Sequence, residues 1–114
     1  MIVEVEMLAF GKGERRGVSV PAGLVTTQEQ LDAAYYYGQN HIQPKPFPSV
    51  SVGDVIHLGT GSHAVATYGF CPVSPEQVQT LRDADRRDRA DMVRRWHDVF
   101  LATREAVRTI NGGE

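Results

Sequence analysis

Aliphatic residues alternate with glutamates over residues 2–10, at the start of the chain. This period of two predicts a half-buried β-strand. Glycines and charged residues fill positions 11–17, which predicts a turn, and residues 18–20 predict a short strand that stops at Pro21. We therefore expect an N-terminal β-hairpin.

A helix of about three turns is predicted from Thr26–Thr27 to Gly38. Thr26 has Glu29 three residues on and Thr27 has Gln30, so either spacing provides a capping box. The next segment, 39–48, contains three prolines. Because proline lacks an N–H and fixes φ, this segment is expected to form an extended connection outside the sheet.

Residues 50–58 form an apolar block that is interrupted by Gly53-Asp54. This pattern predicts a tight turn followed by a strand at 55–58, a second turn at 59–62, and a returning strand at 64–70. The result is a second hairpin. Asp54 is expected to hydrogen-bond its own backbone in the turn, the alternative being a catalytic carboxylate.

The C-terminal third has a helical pattern between Ser74-Pro75, which provides an N-cap and a first-turn proline, and Asn111-Gly112. Residues 82–95 are almost all charged, with acid-first pairs to arginine four residues apart. We expect either one long helix whose first half projects into solvent or two helices that bend near residues 89–90. The second half carries a wide apolar stripe made of Val93, Trp96, Phe100, Val107 and Ile110.

Together these elements predict an α+β fold: a small curved antiparallel sheet or half-barrel from two hairpins, one inserted helix and a long C-terminal helix. The chain has 114 residues, the size of one domain. We expect a single domain over residues 1–114, with the sheet and inserted helix in 1–73 and the helical segment in 74–111.

The formal net charge is −2. Proteins that bind nucleic acid non-specifically usually carry an excess of cationic residues, so nucleic acid is a less favoured partner than protein. No apolar run reaches the roughly 20 residues that a membrane span needs. The chain has a single cysteine, Cys71, and so cannot form an internal disulfide, which predicts a cytoplasmic protein. Cys71 itself is predicted to be a small buried apolar residue rather than a nucleophile.

No phosphate-binding loop, dinucleotide fingerprint or nucleophile elbow is present in the sequence. His57 and His63 flank the predicted turn at 59–62, where they would meet as a cross-strand pair, and protonation of both would then lower stability in mild acid. Such a pair is more typical of a solvent-facing surface than of a metal site. We therefore predict no catalytic residue, no metal and no cofactor.

Three consecutive tyrosines, Tyr35–Tyr37, occupy the end of the inserted helix. Successive helical residues are about 100° apart, so at least one ring is expected to be exposed. With the amides that follow, the tyrosines predict a binding surface. Its members are Tyr36, Tyr37, Asn40, His41 and Gln43. The alternative is that the cluster anchors the proline-rich connection to the body of the protein.

Trp96 and Phe100 are predicted interface residues, because the apolar stripe is wider than one edge of a small sheet covers. They would form a homodimer or a docking surface. The alternative is that the helix lies across the sheet and completes the core of the monomer.

Residues 49–56, Ser-Val-Ser-Val-Gly-Asp-Val-Ile, together with Tyr68-Gly69-Phe70, resemble the core of YodL-like domains. These small domains occur in phage, plasmid and conjugative-element proteins, and the resemblance extends over about residues 27–72. It implies a mobile-element protein in the cytosol of a host cell and brings no catalytic residue. The Val-Gly-Asp-Val-Ile run is also similar to a turn in small PUA-like barrels.

Two functional hypotheses follow. The first is a non-enzymatic phage- or plasmid-type accessory protein that binds a host protein complex, for instance in a counter-defence or anti-CRISPR-like role. The second is a PUA-like module that binds RNA or a modified base, or a small hydrolase. The first is favoured because no acid, base and nucleophile come together in the sequence.

Overall fold

The computed structural model describes residues 1–112, and side chains as far as residue 108; the side chain of Ile110, in the predicted stripe, lies outside the described residues. Five strands and three helices follow one another as β1 (Ile2–Met7), β2 (Glu14–Ser19), α1 (Thr27–Tyr37), β3 (Val55–Leu58), β4 (Gly61–Val65), β5 (Phe70–Val73), α2 (Pro75–Asp83) and α3 (Arg86–Gly112). All paired strands are antiparallel, in the spatial order β2-β1-β3-β4-β5. The predicted α+β class is confirmed, and the sheet is open rather than closed into a barrel.

The first hairpin differs from the prediction in the position of its second strand. β2 begins at Glu14, so the predicted turn over 11–17 is too long and the predicted strand at 18–20 too short. Arg15 lies opposite Glu6 in the register, and its guanidinium also forms an ion pair with Glu4 at 2.6 Å. Arg15 joins the strand because it finds partners on β1, which local composition does not reveal.

The predicted returning strand at 64–70 is wrong, because the chain there forms two strands, β4 and β5. The chain reverses at residues 66–69, where the Ala66 N–H donates to the Gly69 carbonyl at 3.0 Å. Gly69 has a φ of 81°, a conformation that side chains other than glycine rarely adopt. β5 lies at the edge of the sheet and so tolerates Pro72.

The inserted helix α1 begins and ends as predicted. Its N-cap is Thr26, whose hydroxyl accepts from the Glu29 N–H at 3.1 Å while the Glu29 carboxylate accepts from the Thr26 N–H at 3.0 Å. At the other end, a Cβ on Gly38 would lie 2.4 Å from a methyl group of Val50. The returning chain therefore packs directly on this glycine, and the predicted proline-rich connection lies outside the sheet.

The two faces of the sheet are covered by different helices. β1 directs its valines to the first face and its glutamates to the second, as the period of two requires. The core on the first face is covered by α1 and includes Val5, Val18, Leu31, Ala34 and Ile56. The core on the second face is covered by α2 and α3 and includes Val55, Ala64, Cys71, Leu81 and Val93.

The C-terminal segment forms two helices that are separated at residues 84–85, four to five residues before the predicted bend. Arg89 explains the position of the break. Its guanidinium donates to the carbonyl oxygens of Leu81 at 2.6 Å and Arg82 at 3.1 Å, and also to that of Leu8 at 2.6 Å. Two carbonyls at the end of α2 thus receive partners from α3.

Of the two alternatives predicted for this segment, two helices with a bend is confirmed, and one long helix whose charged first half projects into solvent is wrong. In α3, Val93 is 0% exposed, whereas Val99 is 66% exposed and residues 102–108 are all exposed. α3 has 27 residues and is about 40 Å long, whereas five strands about 4.8 Å apart span only about 20 Å. The helix is longer than the sheet it packs on, and it borders the strands at least as far as Arg104, which lines a cleft with Phe70 and Pro72.

Val93 and Val99 provide a matched test of how α3 docks. We expect Val93→Ala to lower the free energy of unfolding by about 1.5–3 kcal/mol, because two buried methyl groups and their packing are lost. Val99→Ala makes the same change in helix propensity at an exposed site and should alter stability by less than about 0.5 kcal/mol. Urea unfolding of both variants measures the difference. Equal effects would contradict the docking of α3 through Val93.

Candidate functional site

The three tyrosines of α1 have different surroundings. Tyr35 is 41% exposed and Tyr36 is 55% exposed, so the expectation of at least one exposed ring is confirmed. Tyr37 is half-buried against the first core, and its ring meets that of Tyr36 edge-on, with centroids 4.9 Å apart. Of the predicted binding surface, Tyr36 and His41 are the exposed members.

Asn40 and Gln43 hold the proline-rich connection against β2. The side chain of Gln43 accepts from the Ser19 N–H at 3.1 Å and donates to the Ser19 carbonyl at 2.5 Å. Asn40 accepts from Arg16 at 2.8 Å and donates to the Phe47 carbonyl at 2.7 Å. These two amides have the anchoring role that was the alternative to a binding surface.

Arg16 organises this connection, and it lies in β2 rather than in the predicted turn over 11–17. Its side chain is fully buried, and it donates to the carbonyl oxygens of Gln43 at 2.6 Å and Pro48 at 3.2 Å. The guanidinium also lies over the ring of Phe47, 5.8 Å from its centroid. The signal that would have found it is the alternation with Val18 and Val20, which puts position 16 on the same face of the strand.

Trp96 and Phe100, the predicted interface residues, lie on the side of α3 that packs on the protein. Trp96 is half-buried against the second core. The ring of Phe100 stacks on that of His97, with centroids 6.3 Å apart, and the Arg104 guanidinium lies 5.6 Å from its centroid. A set of exposed apolar residues lies on another face of α3, which we call the outer face. It consists of Val99, Ala102 and Ala106, all exposed. Val107 is also exposed, but it lies seven residues after Phe100 and so continues the face of Trp96 and Phe100.

A hydrogen-bonded chain of carboxylate, imidazole and hydroxyl crosses the second face of the sheet. Glu6 is 3% exposed and lies 2.9 Å from Nε2 of His57, whose Nδ1 is 2.8 Å from the Ser62 hydroxyl. Since a carboxylate only accepts, Nε2 carries the proton and Nδ1 accepts from Ser62 when His57 is neutral. This order of groups is the one found in serine hydrolases.

The surroundings of Glu6 favour a structural role for this chain. Arg82 on α2 donates to both carboxylate oxygens, at 2.6 and 3.0 Å, and Arg15 lies 3.4 Å away. Burial raises the pKa of Glu6, but the bonds from Arg82 and His57 outweigh it and hold the pKa below the usual value. Glu6 is therefore held in ion pairs that join β1 to β2 and to α2.

The remaining titratable candidates are also part of the framework. His57 and His63 do not face one another: His57 pairs with Ser62, and His63 pairs with Ile56 and faces the side of the sheet that α1 covers. The predicted cross-strand histidine pair is therefore wrong. Cys71 is buried, and burial raises the pKa of its thiol. Within the part of the chain that the structure describes, no three His, Cys, Asp or Glu side chains lie close enough to hold a metal ion.

Asp54 is the most strongly perturbed carboxyl group. One oxygen accepts from the Ala9 N–H at 2.7 Å and the other from the Ser51 N–H at 2.8 Å. Burial raises its pKa to about 6, although these hydrogen bonds act in the opposite direction. The turn at Gly53-Asp54 is as predicted, and Asp54 joins it to the end of β1.

Comparisons with protein-family models, with curated proteins and with solved structures find no match to this chain. The resemblance of residues 49–56 to YodL-like domains therefore stays a prediction. Among residues 1–112, no helix combines the length and the apolar character that crossing a membrane requires.

Glu6 and Glu4 allow the buried network to be tested against an exposed pair on the same strand. We expect Glu6→Gln to lower the free energy of unfolding by about 2–4 kcal/mol, because Arg82 and Arg15 lose their common negative charge and the new amide NH2 cannot accept from them. Glu4 is exposed and also pairs with Arg15, and Glu4→Gln should cost less than about 1 kcal/mol. Urea unfolding at neutral pH compares them, and similar losses would contradict an anchoring role for Glu6.

Asp54→Asn tests the raised carboxyl pKa. The pKa of Asp54 is about 6 in the folded protein and lower in the unfolded chain, so protonation of Asp54 favours the folded state. This contribution to the free energy of unfolding is fully present below about pH 4 and is lost as the pH rises through about 6. We therefore expect the free energy of unfolding of the variant, relative to that of the wild type, to increase by at most about 3 kcal/mol between about pH 4 and pH 7.

Urea unfolding of both proteins at several pH values in this range measures the change. Burial lowers the pKa of His63, but that contribution is common to both proteins and cancels in the comparison. A stability difference that does not vary with pH would contradict the assignment.

Proposed function

We propose that the chain is a non-enzymatic binding protein of phage or plasmid type, which acts in the host cytosol by docking on a host protein complex. The observation that carries this proposal is the outer face of α3. Its three exposed apolar residues lie on the side of α3 that faces away from Phe100 and Arg104, which border α1 and the edge strand β5. They have no core of their own chain to pack against.

The spacing within the outer face supports recognition of a partner. Val99, Ala102 and Ala106 are three and four residues apart and so share one side of the helix. Single exposed aliphatic residues are common on protein surfaces. A continuous apolar stripe on one side of a helix, however, fits the groove or helix of a partner, because such partners contact helical residues three and four apart. The alanines permit close approach of the partner backbone.

The roles of the titratable residues support binding rather than catalysis. Glu6, His57, Asp54 and Cys71 were the groups available for chemistry, and each is used in packing or in an internal hydrogen bond. The alternative of a PUA-like module gains no support from an open sheet. The mobile-element setting, with a counter-defence or anti-CRISPR-like role, rests on the resemblance of residues 49–56 and 68–70.

The test is affinity capture from bacterial lysate with Val99→Glu as the disabling variant. Val25 is 84% exposed and lies in the segment before α1, so Val25→Glu is the matched control. We expect the wild type and the control to retain one protein complex in stoichiometric amount, and Val99→Glu to retain at least about tenfold less, since a buried charge opposes docking.

Three other outcomes would contradict docking on a host protein through the outer face. The first is equal capture by all three proteins. The second is capture that nuclease abolishes, which favours the RNA-binding alternative. The third is a concentration-dependent dimer, detected by sedimentation, that Val99→Glu disrupts, which assigns the outer face to a homodimer.

A further inference from the structure

A cleft of about 250 Å³ opens between α1 and the β4–β5 turn, away from the outer face of α3. We call it the Tyr35 cleft. Its floor is apolar, formed by Val52, Val65 and Ala66, and its rim carries the carboxylate of Asp32. Val65 and Ala66 are buried, so the floor is part of the folded body rather than a loose surface.

Two aromatic rings line the cleft side by side. The rings of Tyr35 and Phe70 are in edge-to-face contact, with centroids 6.5 Å apart and ring planes at 72°. Tyr35 is exposed and Phe70 half-buried, so a bound group would contact ring surface that solvent now covers. Aromatic rings attract a cation that lies over their faces.

Among the described residues that line the cleft, the charged one is Asp32, and a hydrogen bond from Gln28 at 3.0 Å uses one of its two oxygens. α1 contains Glu29 and Asp32 but no lysine or arginine. Two arginines of α3 line neighbouring clefts, and each is already engaged: Arg94 pairs with Asp91, and Arg104 lies over the ring of Phe100. The charge inside the Tyr35 cleft itself is therefore negative and favours a cation.

The size of the cleft favours one side chain over a free cofactor. Small-molecule sites usually enclose about 300–1,000 Å³, and this cleft is smaller. The protein itself twice places an arginine over a phenylalanine ring, Arg16 on Phe47 and Arg104 on Phe100, at 5.8 and 5.6 Å. Arginine and lysine both join an aliphatic stem to a cationic end.

We propose that the Tyr35 cleft binds the basic side chain of a partner protein, an arginine or a lysine. The aliphatic stem packs on Val65 and Ala66, the cationic group lies against the ring of Tyr35, and Asp32 neutralises its charge. This site is separate from the outer face of α3 and goes beyond the proposed function, because it specifies a chemistry that the partner must present.

The test uses isolated protein and short capped peptides, so its result does not depend on the docking of α3. Acetyl-Ala-Arg-Ala-amide, its lysine analogue and its neutral citrulline analogue are titrated into ¹⁵N-labelled protein by NMR. We expect a basic peptide to shift the amide signals of Tyr35, Thr67 and Gly69 with a Kd on the order of a few millimolar. Citrulline should bind about tenfold more weakly, because it lacks the charge.

A matched pair of variants identifies the carboxylate. Asp83 accepts from Gln79 at 3.0 Å within α2, just as Asp32 accepts from Gln28 within α1. Asp32→Asn should weaken binding of the basic peptide about three- to fivefold, whereas Asp83→Asn should leave it unchanged. Both variants change the same kind of glutamine–aspartate hydrogen bond within a helix. A difference between their Kd values for the basic peptide therefore comes from the cleft.

The relative Kd values of the arginine and lysine peptides decide which residue the partner presents. Equal binding of citrulline, an unchanged Kd in Asp32→Asn, or shifts located away from the cleft would each overturn the proposal.

Discussion

The guanidinium of Arg89 joins the end of β1, the end of α2 and α3, which also share the apolar residues of the second core. It is nearly buried, and its donors reach Leu8 at the end of β1 and Leu81 and Arg82 in the last turn of α2. A buried cation is tolerated only where acceptors surround it. The carbonyl oxygens at the end of a helix are free to serve, because they lack partners within the helix. The position of α3, and hence the direction of its second half, depends on this contact.

Arg16 has a similar role on the opposite side of the molecule. It is fully buried and binds the connection between α1 and β3 through Asn40 and Gln43. The two arginines hold irregular segments that have few apolar residues of their own to bury. Asn40 and Gln43, which the sequence pattern assigns to a recognition surface, consequently surround the buried guanidinium of Arg16.

The same arrangement leaves two surfaces free for contact with other molecules. Because α3 docks through one side, its other side exposes Val99 and the alanines that follow. Because the chain reverses at Gly69, Phe70 lies beside Tyr35 in a cleft that a single strand over 64–70 would not have formed. An exposed apolar helix face and an acidic aromatic cleft are features of proteins that bind other proteins. The buried network around Glu6 stabilises the sheet and the helices that carry these two surfaces.

The fold class, both ends of α1 and the start of α2 were predictable because their signals are local. Capping boxes at Thr26 and Ser74 involve residues three apart, and the alternation in β1 depends on neighbours along the chain. At least one exposed tyrosine followed from helix geometry alone. Of the five residues predicted for the binding surface, Tyr36 and His41 are exposed, whereas no local pattern indicated that Asn40 and Gln43 are engaged by Arg16.

The partners of the charged residues were decided only in three dimensions. Arg15, Arg16 and Arg89 carry the same local signal, a charge in a polar stretch, yet the first forms an exposed ion pair and the other two are buried. Their partners lie between 7 and 81 residues away in the chain. By itself the sequence determined the α+β class, the starts of α1 and α2 and the apolar stripe. The tertiary structure decided which half of α3 docks, because a buried guanidinium is stable only where distant carbonyls converge on it.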